Sequence, residues 1–252
     1  MKETSRILDL KYKLMTIELL NLAKKTYTYR ELSAIIHLPE TVLSRYVKGH
    51  VLPTADRAEE INKTLQKYMS LEKEVQGRIQ FDDQGYFDNT RIISDTMLLE
   101  RAVQFAVGKF AGKRITKVMT AAVDGIPLAT LLAHRLGVHL IVAKKGREAG
   151  VREFFEEVFT PVPNSGALVS LFVPRDALKR GDCILIADDI IDSGETQRAM
   201  MKIALKAKAE VTGIYALVGI GNGWRPRIES VANVPVEIVT GLMKKEAPPV
   251  PA

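Results

Sequence analysis

The stretch from Cys183 to Thr196, Cys-Ile-Leu-Ile-Ala-Asp-Asp-Ile-Ile-Asp-Ser-Gly-Glu-Thr, constrains this chain more than any other part of it. Its apolar start, Cys183 to Ala187, has the length and composition of a strand buried on both faces, as in a parallel sheet. Two adjacent carboxylates follow, then Ile190 and Ile191, then a small polar turn containing Gly194, and a helical pattern from Gln197 to about Lys208. A strand that ends in such a turn and feeds a helix aims backbone N–H groups at an anion, and glycine allows close approach. Asp192, Ser193, Gly194, Glu195 and Thr196 are therefore candidates for a phosphate loop. Asp188 and Asp189 repel phosphate, and suit instead a pair of neighbouring hydroxyls, as on a ribose, or a divalent cation such as Mg2+. Phosphate and diol recognition on one loop describes a ribose 5-phosphate site.

The order of apolar strand, paired acids, two apolar residues, Ser-Gly turn and helix resembles the signature of the type I phosphoribosyltransferases. In that family the stretch binds phosphoribosyl pyrophosphate. The resemblance implies ribose contacts from Asp188 and Asp189, with Mg2+ near them, and a 5′-phosphate on the loop from Asp192 to Thr196. In the 6-oxopurine branch the turn opens with Asp in an Ile-Ile-Asp-Thr-Gly run, to which Ile190 to Gly194 is closely similar. There the Asp contacts the purine base and accepts its proton, which makes Asp192 a candidate base contact; as an ordinary residue it would cap the helix.

The chain from Ile115 onward alternates strand and helix patterns. Strands are expected at Ile115–Val123, Val138–Ala143, Leu168–Val173, Cys183–Ala187, Val211–Ile220 and Val236–Val239, with helices at Ile126–Leu136 and after the opening stretch. Thr90 to Gly112 reads as one amphipathic helix. Such alternation predicts an α/β fold with a mainly parallel sheet, whose ligands bind at the carboxyl ends of the strands. Asp124 and Gly125 sit at one such end and open a helix, and Gly125 to Ala129 is similar to the Gly-Ile-Pro-Leu-Ala run of the family's pyrophosphate loop. Lys144, Lys145 and Arg147 follow the next strand and offer a cationic clamp for pyrophosphate. Residues 148–167 show no clear periodicity, and correspond in position to the family's flexible loop. Against the orotate branch this loop has Ala143 where Arg is expected and Ala149 where His is expected. Two catalytic groups are thus missing. Trp224, in Gly-Asn-Gly-Trp, is a candidate for stacking on a base, or for packing.

The N-terminal third is different. Ile7 to Lys25 carries Leu10, Leu14, Ile17 and Leu20 at helical spacing. Thr28 and Glu31 form a capping box for a second helix that buries Leu32, Ile35 and Ile36. His37 to Glu40 is a turn, Pro39 starts a third helix, and Gly49 ends it. A fourth helix runs from about Ala55 through Ala58, Ile61, Leu65 and Tyr68. This is a helix-turn-helix plan, and Tyr29 to Lys48 is similar to its repressor-type version, with His37 where that family usually has Gly. In such a motif the third helix enters the major groove of double-stranded DNA. Thr41, Ser44, Arg45 and Lys48 are then the DNA-binding candidates, Arg45 for a guanine edge and Ser44 and Lys48 for phosphates.

Charge is consistent with that division: residues 1–80 hold 14 Lys and Arg against 10 Asp and Glu, while the remainder holds 22 against 20. One cysteine excludes a disulfide framework, and no apolar run is long enough to span a membrane, so a cytoplasmic protein is expected. The expected domains are a helix-turn-helix domain at 1–75, a phosphoribosyltransferase-like domain at 76–245 and a disordered tail at 246–252. The combination resembles archaeal transcription regulators of this architecture, with the enzyme likeness covering residues 81–245, and more loosely the purine repressors of Gram-positive bacteria. It implies a homodimeric regulator that binds a palindromic operator and responds to phosphoribosyl pyrophosphate or a related nucleotide. The alternative is an active purine or orotate phosphoribosyltransferase with an N-terminal interaction domain.

Overall fold

The computed structural model describes residues 2–82, 87–161 and 167–243. The expected disordered tail lies outside the described residues, as does part of the irregular segment expected between Phe81 and Asn89. The chain divides into two compact units, Met1–Glu74 and Val75–Ala252.

The first unit is helical: α1 (Lys2–Thr26), α2 (Tyr29–Ile36), α3 (Glu40–Val47) and α4 (Ala55–Tyr68), with α5 (Leu71–Gln76) at its end. Its core gathers Leu20, Ala23, Leu32, Ile36, Leu43, Ile61 and Leu65. The Thr28 hydroxyl accepts the Glu31 N–H while the Glu31 carboxylate accepts the Thr28 N–H at 2.7 Å, so the reciprocal cap fixes where α2 starts. His37 ends α2 in the left-handed region (φ 57°), where glycine would be unstrained, and Pro39 precedes α3. Gly49, also left-handed at φ 70°, ends α3. The apolar stripe expected along α1 is only half buried: Ile17 and Leu20 join the core, whereas Leu10 and Leu14 are 47% and 45% exposed. The reason is rotational. The face of α1 turned to α4 carries Thr16, whose hydroxyl accepts from Asn62 at 2.6 Å, and Leu14 lies around the helix from it.

The second unit opens with β1 (Gln80–Phe81) and β2 (Phe87–Asp88), then α6 (Thr90–Ile93) and α7 (Thr96–Lys109). The single helix expected from Thr90 to Gly112 is thus broken at Ser94 and Asp95. Asp95 turns its carboxylate onto the N–H groups of Met97 and Leu98, both at 3.0 Å, so a strong N-cap residue starts a new helix instead of continuing the old one. There follow β3 (Lys117–Ala121), α8 (Ile126–Leu136), β4 (His139–Ala143), β5 (Phe154–Phe159), β6 (Val169–Pro174), β7 (Cys183–Ile191), α9 (Glu195–Lys206), β8 (Glu210–Ile220), α10 (Arg225–Glu229) and β9 (Val236–Leu242).

The main sheet is wholly parallel, in the order β4-β3-β7-β8-β9. Chain progression runs outward in opposite directions from the β3–β7 pair, which makes that boundary the topological switch point where α/β sheets open a crevice. β6 is not in this sheet. It pairs antiparallel with β5, a strand inside the segment expected to be an irregular loop. Phe155 and Phe159 pack onto the core from one face of that hairpin, and Glu157 on the same face bonds to Lys202 and Lys206 of α9 at 2.8 and 2.7 Å. The alternation of Phe155, Glu157 and Phe159 hides in sequence because the inward position between two aromatics is a carboxylate, buried only because two lysines meet it. β7 also runs past its expected end, so that Asp188 and Asp189 lie within the strand and not beyond it.

Candidate functional site

β7 is buried along its whole length except at Ile190, and it brings both acids into a nearly dry setting: Asp188 and Asp189 are each 6% exposed. Each carboxylate is held by an amide side chain from elsewhere. Gln197 of α9 donates to Asp188 Oδ2 at 2.8 Å, and Asn89, between β2 and α6, donates to Asp189 Oδ2 at 2.6 Å. Burial, and then the neighbouring charge of Asp189, push the Asp188 carboxyl well above the usual carboxylate range. Burial raises Asp189 as well; the bond from Asn89 offsets part of this, and the charge of Asp124 adds to it. Two acids that resist full ionisation are poised to gain from hydroxyl donors or from a cation.

The loop between β3 and α8 crosses directly over Asp188. A Cβ on Gly125 would stand 2.3 Å from both Asp188 Oδ1 and Thr120 Oγ1. Glycine is required there by space and not by conformation, since its φ of −72° suits any residue. The Ala122–Val123 peptide in this loop is cis. Asp124 and Gly125 thus meet the paired acids across the switch point.

The second loop, Asp192 to Gly194, leads from β7 into α9. Gly194 is left-handed at φ 79°, and a Cβ would lie 2.9 Å from Trp224 Cβ and 3.1 Å from the Trp224 carbonyl oxygen. Trp224 itself is fully buried, and its indole N–H donates to the Gly221 carbonyl at 2.9 Å. Trp224 meets the loop through its Cβ and backbone, while its buried ring lies beneath the Arg225 guanidinium and presents no open face to a base, so the stacking role expected for it has no surface to work on. Ser193 Oγ donates to the Pro161 carbonyl at 2.8 Å, and Arg227 donates to the Ser193 carbonyl at 2.8 Å. Glu195 pairs with Arg198 and Arg227, while Asp192 is exposed and Thr196 is half-buried at the start of α9.

The cationic turn is differently occupied. Lys144 bonds to Glu148, and Arg147 pairs with Glu156 of the hairpin at 2.9 Å while lying over the Phe172 ring; Lys145 is exposed. These are solvent-facing pairs worth little, so exchange for a ligand anion would cost little.

In the helical unit, Thr41 and Arg45 are exposed on α3 and Lys48 is exposed just past its end, Ser44 is half-buried, and Leu43 faces inward to the core. Asn89, Gln197 and Arg227 are site residues that sequence reasoning missed. Nothing in their local pattern marks them, because each meets its partner only through the tertiary fold.

A phosphoribosyl transferase domain family model matches residues 91–244. Xanthine phosphoribosyltransferase of Lactobacillus acidophilus is 30% identical over 135 residues, which span 50% of this chain and 69% of that protein. A probable purine biosynthesis transcriptional regulator, PurR, of Streptococcus pneumoniae is 23% identical over 130 residues, 52% of this chain and 47% of that protein. Among solved structures, adenine phosphoribosyltransferase from Rhodothermus marinus aligns with a TM-score of 0.60 at 24% identity, covering 68% of this chain and 98% of that one, a likeness of fold.

Proposed function

This chain belongs to the phosphoribosyl transferase domain family, and from that premise we propose that it is a DNA-binding transcription regulator whose second unit binds phosphoribosyl pyrophosphate or a related nucleotide. The observation that carries the reading is α3: a short helix set on α2 by a tight turn, with Thr41, Arg45 and Lys48 exposed, in the same chain as a phosphoribosyl transferase domain. A purine regulator among the relatives supports the pairing. In this reading the protein is a homodimer, and its two α3 helices reach successive major grooves of a palindromic site, roughly 34 Å apart.

The ligand's ribose hydroxyls lie on Asp188 and Asp189, its 5′-phosphate on the N–H groups of Ser193 to Thr196, and its pyrophosphate at Asp124 and Gly125 with Lys144, Lys145 and Arg147 as cations. Mg2+ fits this donor set only together with the ligand. Among the described residues no cluster of three or more His, Cys, Asp or Glu could hold a metal ion alone, and Mg2+ commonly binds through one or two carboxylates plus substrate oxygens. Bound with the ligand, it would neutralise phosphate charge beside the paired acids. Effector control requires that the ligand bind the DNA-competent and incompetent arrangements with different affinity.

The test is binding of the full chain to DNA from its own promoter region, with and without phosphoribosyl pyrophosphate. Binding should fall steeply with salt, weaken at least tenfold on Arg45→Ala, and change with ligand. Unaltered binding by Arg45→Ala removes α3 from recognition. A second reading, an active phosphoribosyltransferase, is favoured by the acids held intact under Gly125 and by the xanthine phosphoribosyltransferase relative. Robust nucleotide formation from phosphoribosyl pyrophosphate and any common nucleobase would establish it.

A further inference from the structure

The five strands of the main sheet run parallel, so the loops that precede them gather at one edge, opposite to the edge that carries the candidate site. Three of these loops lead into the neighbouring strands β3, β7 and β8, and backbone bonds tie them together. The Thr116 N–H donates to the Cys183 carbonyl at 2.8 Å, the Gly181 N–H to the Lys208 carbonyl at 3.1 Å, and the Glu210 N–H to the Asp182 carbonyl at 2.8 Å. Lys113, Arg114, Lys179, Arg180 and Lys208 stand exposed on them. We propose that this amino edge of the second unit is a contact surface for the phosphate backbone of double-stranded DNA, independent of base sequence. The surface rests on the reading of the chain as a DNA-binding protein and extends it to the second unit.

The charge of these loops suits a polyanion. Residues 113–117, 176–182 and 208–210 hold six Lys and Arg against three Asp and Glu. Residues 81–252 taken whole have an excess of only two cations, so everything outside these loops is slightly negative. Lys117 is spent on Asp182 at 3.0 Å. Among the described residues the five exposed cations enter no ion pair, and the remaining acids, Asp176 and Glu210, offset only two of them. Strands about 4.8 Å apart set the three loops in a row of about 10 Å. A duplex presents one phosphate charge per ~1.7 Å of its axis, hence about six over that length, and release of its condensed counterions drives such contacts.

Lys208 points the same way on independent grounds. Its backbone is left-handed at φ 57°, a conformation that is costly for a residue with a Cβ. Seven other left-handed positions among the described residues hold glycine, and His37 is the one further exception. A lysine kept where glycine would be unstrained indicates a use for its side chain at that spot. The loops also narrow the class of partner, since they expose no aromatic and no large apolar side chain. A single strand would find nothing for its bases to stack on, and a protein partner would find no apolar anchor for an interface. Evenly spaced phosphates are what such a surface can hold, and a duplex offers them.

The test is fluorescence anisotropy of the full chain with a random-sequence duplex and with a duplex from its own promoter region, each over a salt series. The double variant Lys113→Gln, Arg180→Gln should weaken both duplexes about tenfold at low salt and lower the salt slope by about two. Arg91→Gln, Arg152→Gln removes two exposed cations from elsewhere in the unit and should change neither duplex by more than about twofold. Lys208→Gly should raise the urea midpoint yet weaken both duplexes about threefold, a pairing of effects that a merely structural lysine would not give. Vesicles of phosphatidylserine should not compete with the duplex at equal phosphate concentration. Unchanged binding by Lys113→Gln, Arg180→Gln, an equal loss in the Arg91 and Arg152 control, or competition by vesicles as strong as by DNA would each overturn the assignment. Arg45→Ala separates this edge from α3, because it should weaken chiefly the promoter duplex. Losses confined to the edge variants, with Arg45→Ala silent, would sink the α3 reading and keep the edge; the reverse would sink the edge alone, and no binding of either duplex would sink both.

Discussion

Replacing Gly125 by alanine tests the packing of the candidate site with a single methyl group. The backbone there sits at φ −72° and ψ −15°, which alanine adopts freely, so any effect comes from volume. The new Cβ would lie 2.3 Å from Asp188 Oδ1 and Thr120 Oγ1 and 3.3 Å from the Asp188 Cα, so about 1 Å of relief is needed. Asp188 cannot retreat cheaply, because Gln197 holds its other oxygen at 2.8 Å and the Asp189 N–H meets Oδ1 at 3.3 Å. Losing such bonds costs about 0.5–1.5 kcal/mol each, and overpacking typically costs about 1–3 kcal/mol, so Gly125→Ala should destabilise the fold by about 2–3 kcal/mol. The loop that yields is the one assigned to pyrophosphate, and affinity for phosphoribosyl pyrophosphate should fall tenfold or more, or about 1.4 kcal/mol. Urea denaturation and titration calorimetry read the two effects. Gly108→Ala, in α7 with no atom within 4 Å of its new Cβ, is the control and should stabilise by about 0.5–1 kcal/mol. A Gly125→Ala protein within about 0.5 kcal/mol of wild type and with unaltered ligand affinity would refute the reasoning.

Three further outcomes follow from particular contacts. Burial raises the Glu157 carboxyl, but the bonds from Lys202 and Lys206 outweigh it and hold the group below the ordinary glutamate value. A depressed folded pKa adds stability above the unfolded value and loses it as pH falls through the folded one, so Glu157→Gln should cost about 1–2 kcal/mol at pH 7 by chemical denaturation, with the gap to wild type closing in acid. A gap that persists unchanged at pH 3 would contradict this. His37→Gly should stabilise by up to about 1 kcal/mol in the same assay, since it relieves a left-handed residue at the end of α2; a loss of stability would show that the His37 side chain matters more than its backbone. Asn89→Ala should weaken phosphoribosyl pyrophosphate binding several-fold and Asn89→Asp more so, because the latter faces Asp189 with a like charge; equal effects would mean that Asn89 acts only through its volume.

Much of the second unit could be read from the chain alone. Buried parallel strands are near-continuous apolar runs, and β3, β7 and β8 are of that kind, so their order along the chain and the loops at their ends follow from pattern. The break between α6 and α7 could not be read this way, since the apolar spacing continues through Ser94 and Asp95 and only cap chemistry interrupts it. β5 escaped for a related reason. Its inward Glu157 looks polar until Lys202 and Lys206 are placed against it from a helix some 45 residues away. Trp224 carried no signal that could separate stacking on a ligand from packing, because a large flat ring serves either purpose and only the fold buries it.

The sequence by itself determined the α/β alternation, the apolar strand that leads to the paired acids, and the capped short helices of the first unit. These rest on local forces: hydrophobic periodicity, turn chemistry and side-chain caps act over a few residues. The tertiary structure alone decided which groups hold the acids, with Asn89 and Gln197 arriving from 100 and 9 residues away. It also decided that Gly125 sits against Asp188, that Trp224 is sealed, and that Glu157 and Glu195 each meet two cations. Contacts of this kind are set by how sheet, hairpin and helices pack, and packing depends on the whole set of neighbours at once. No window of sequence contains it.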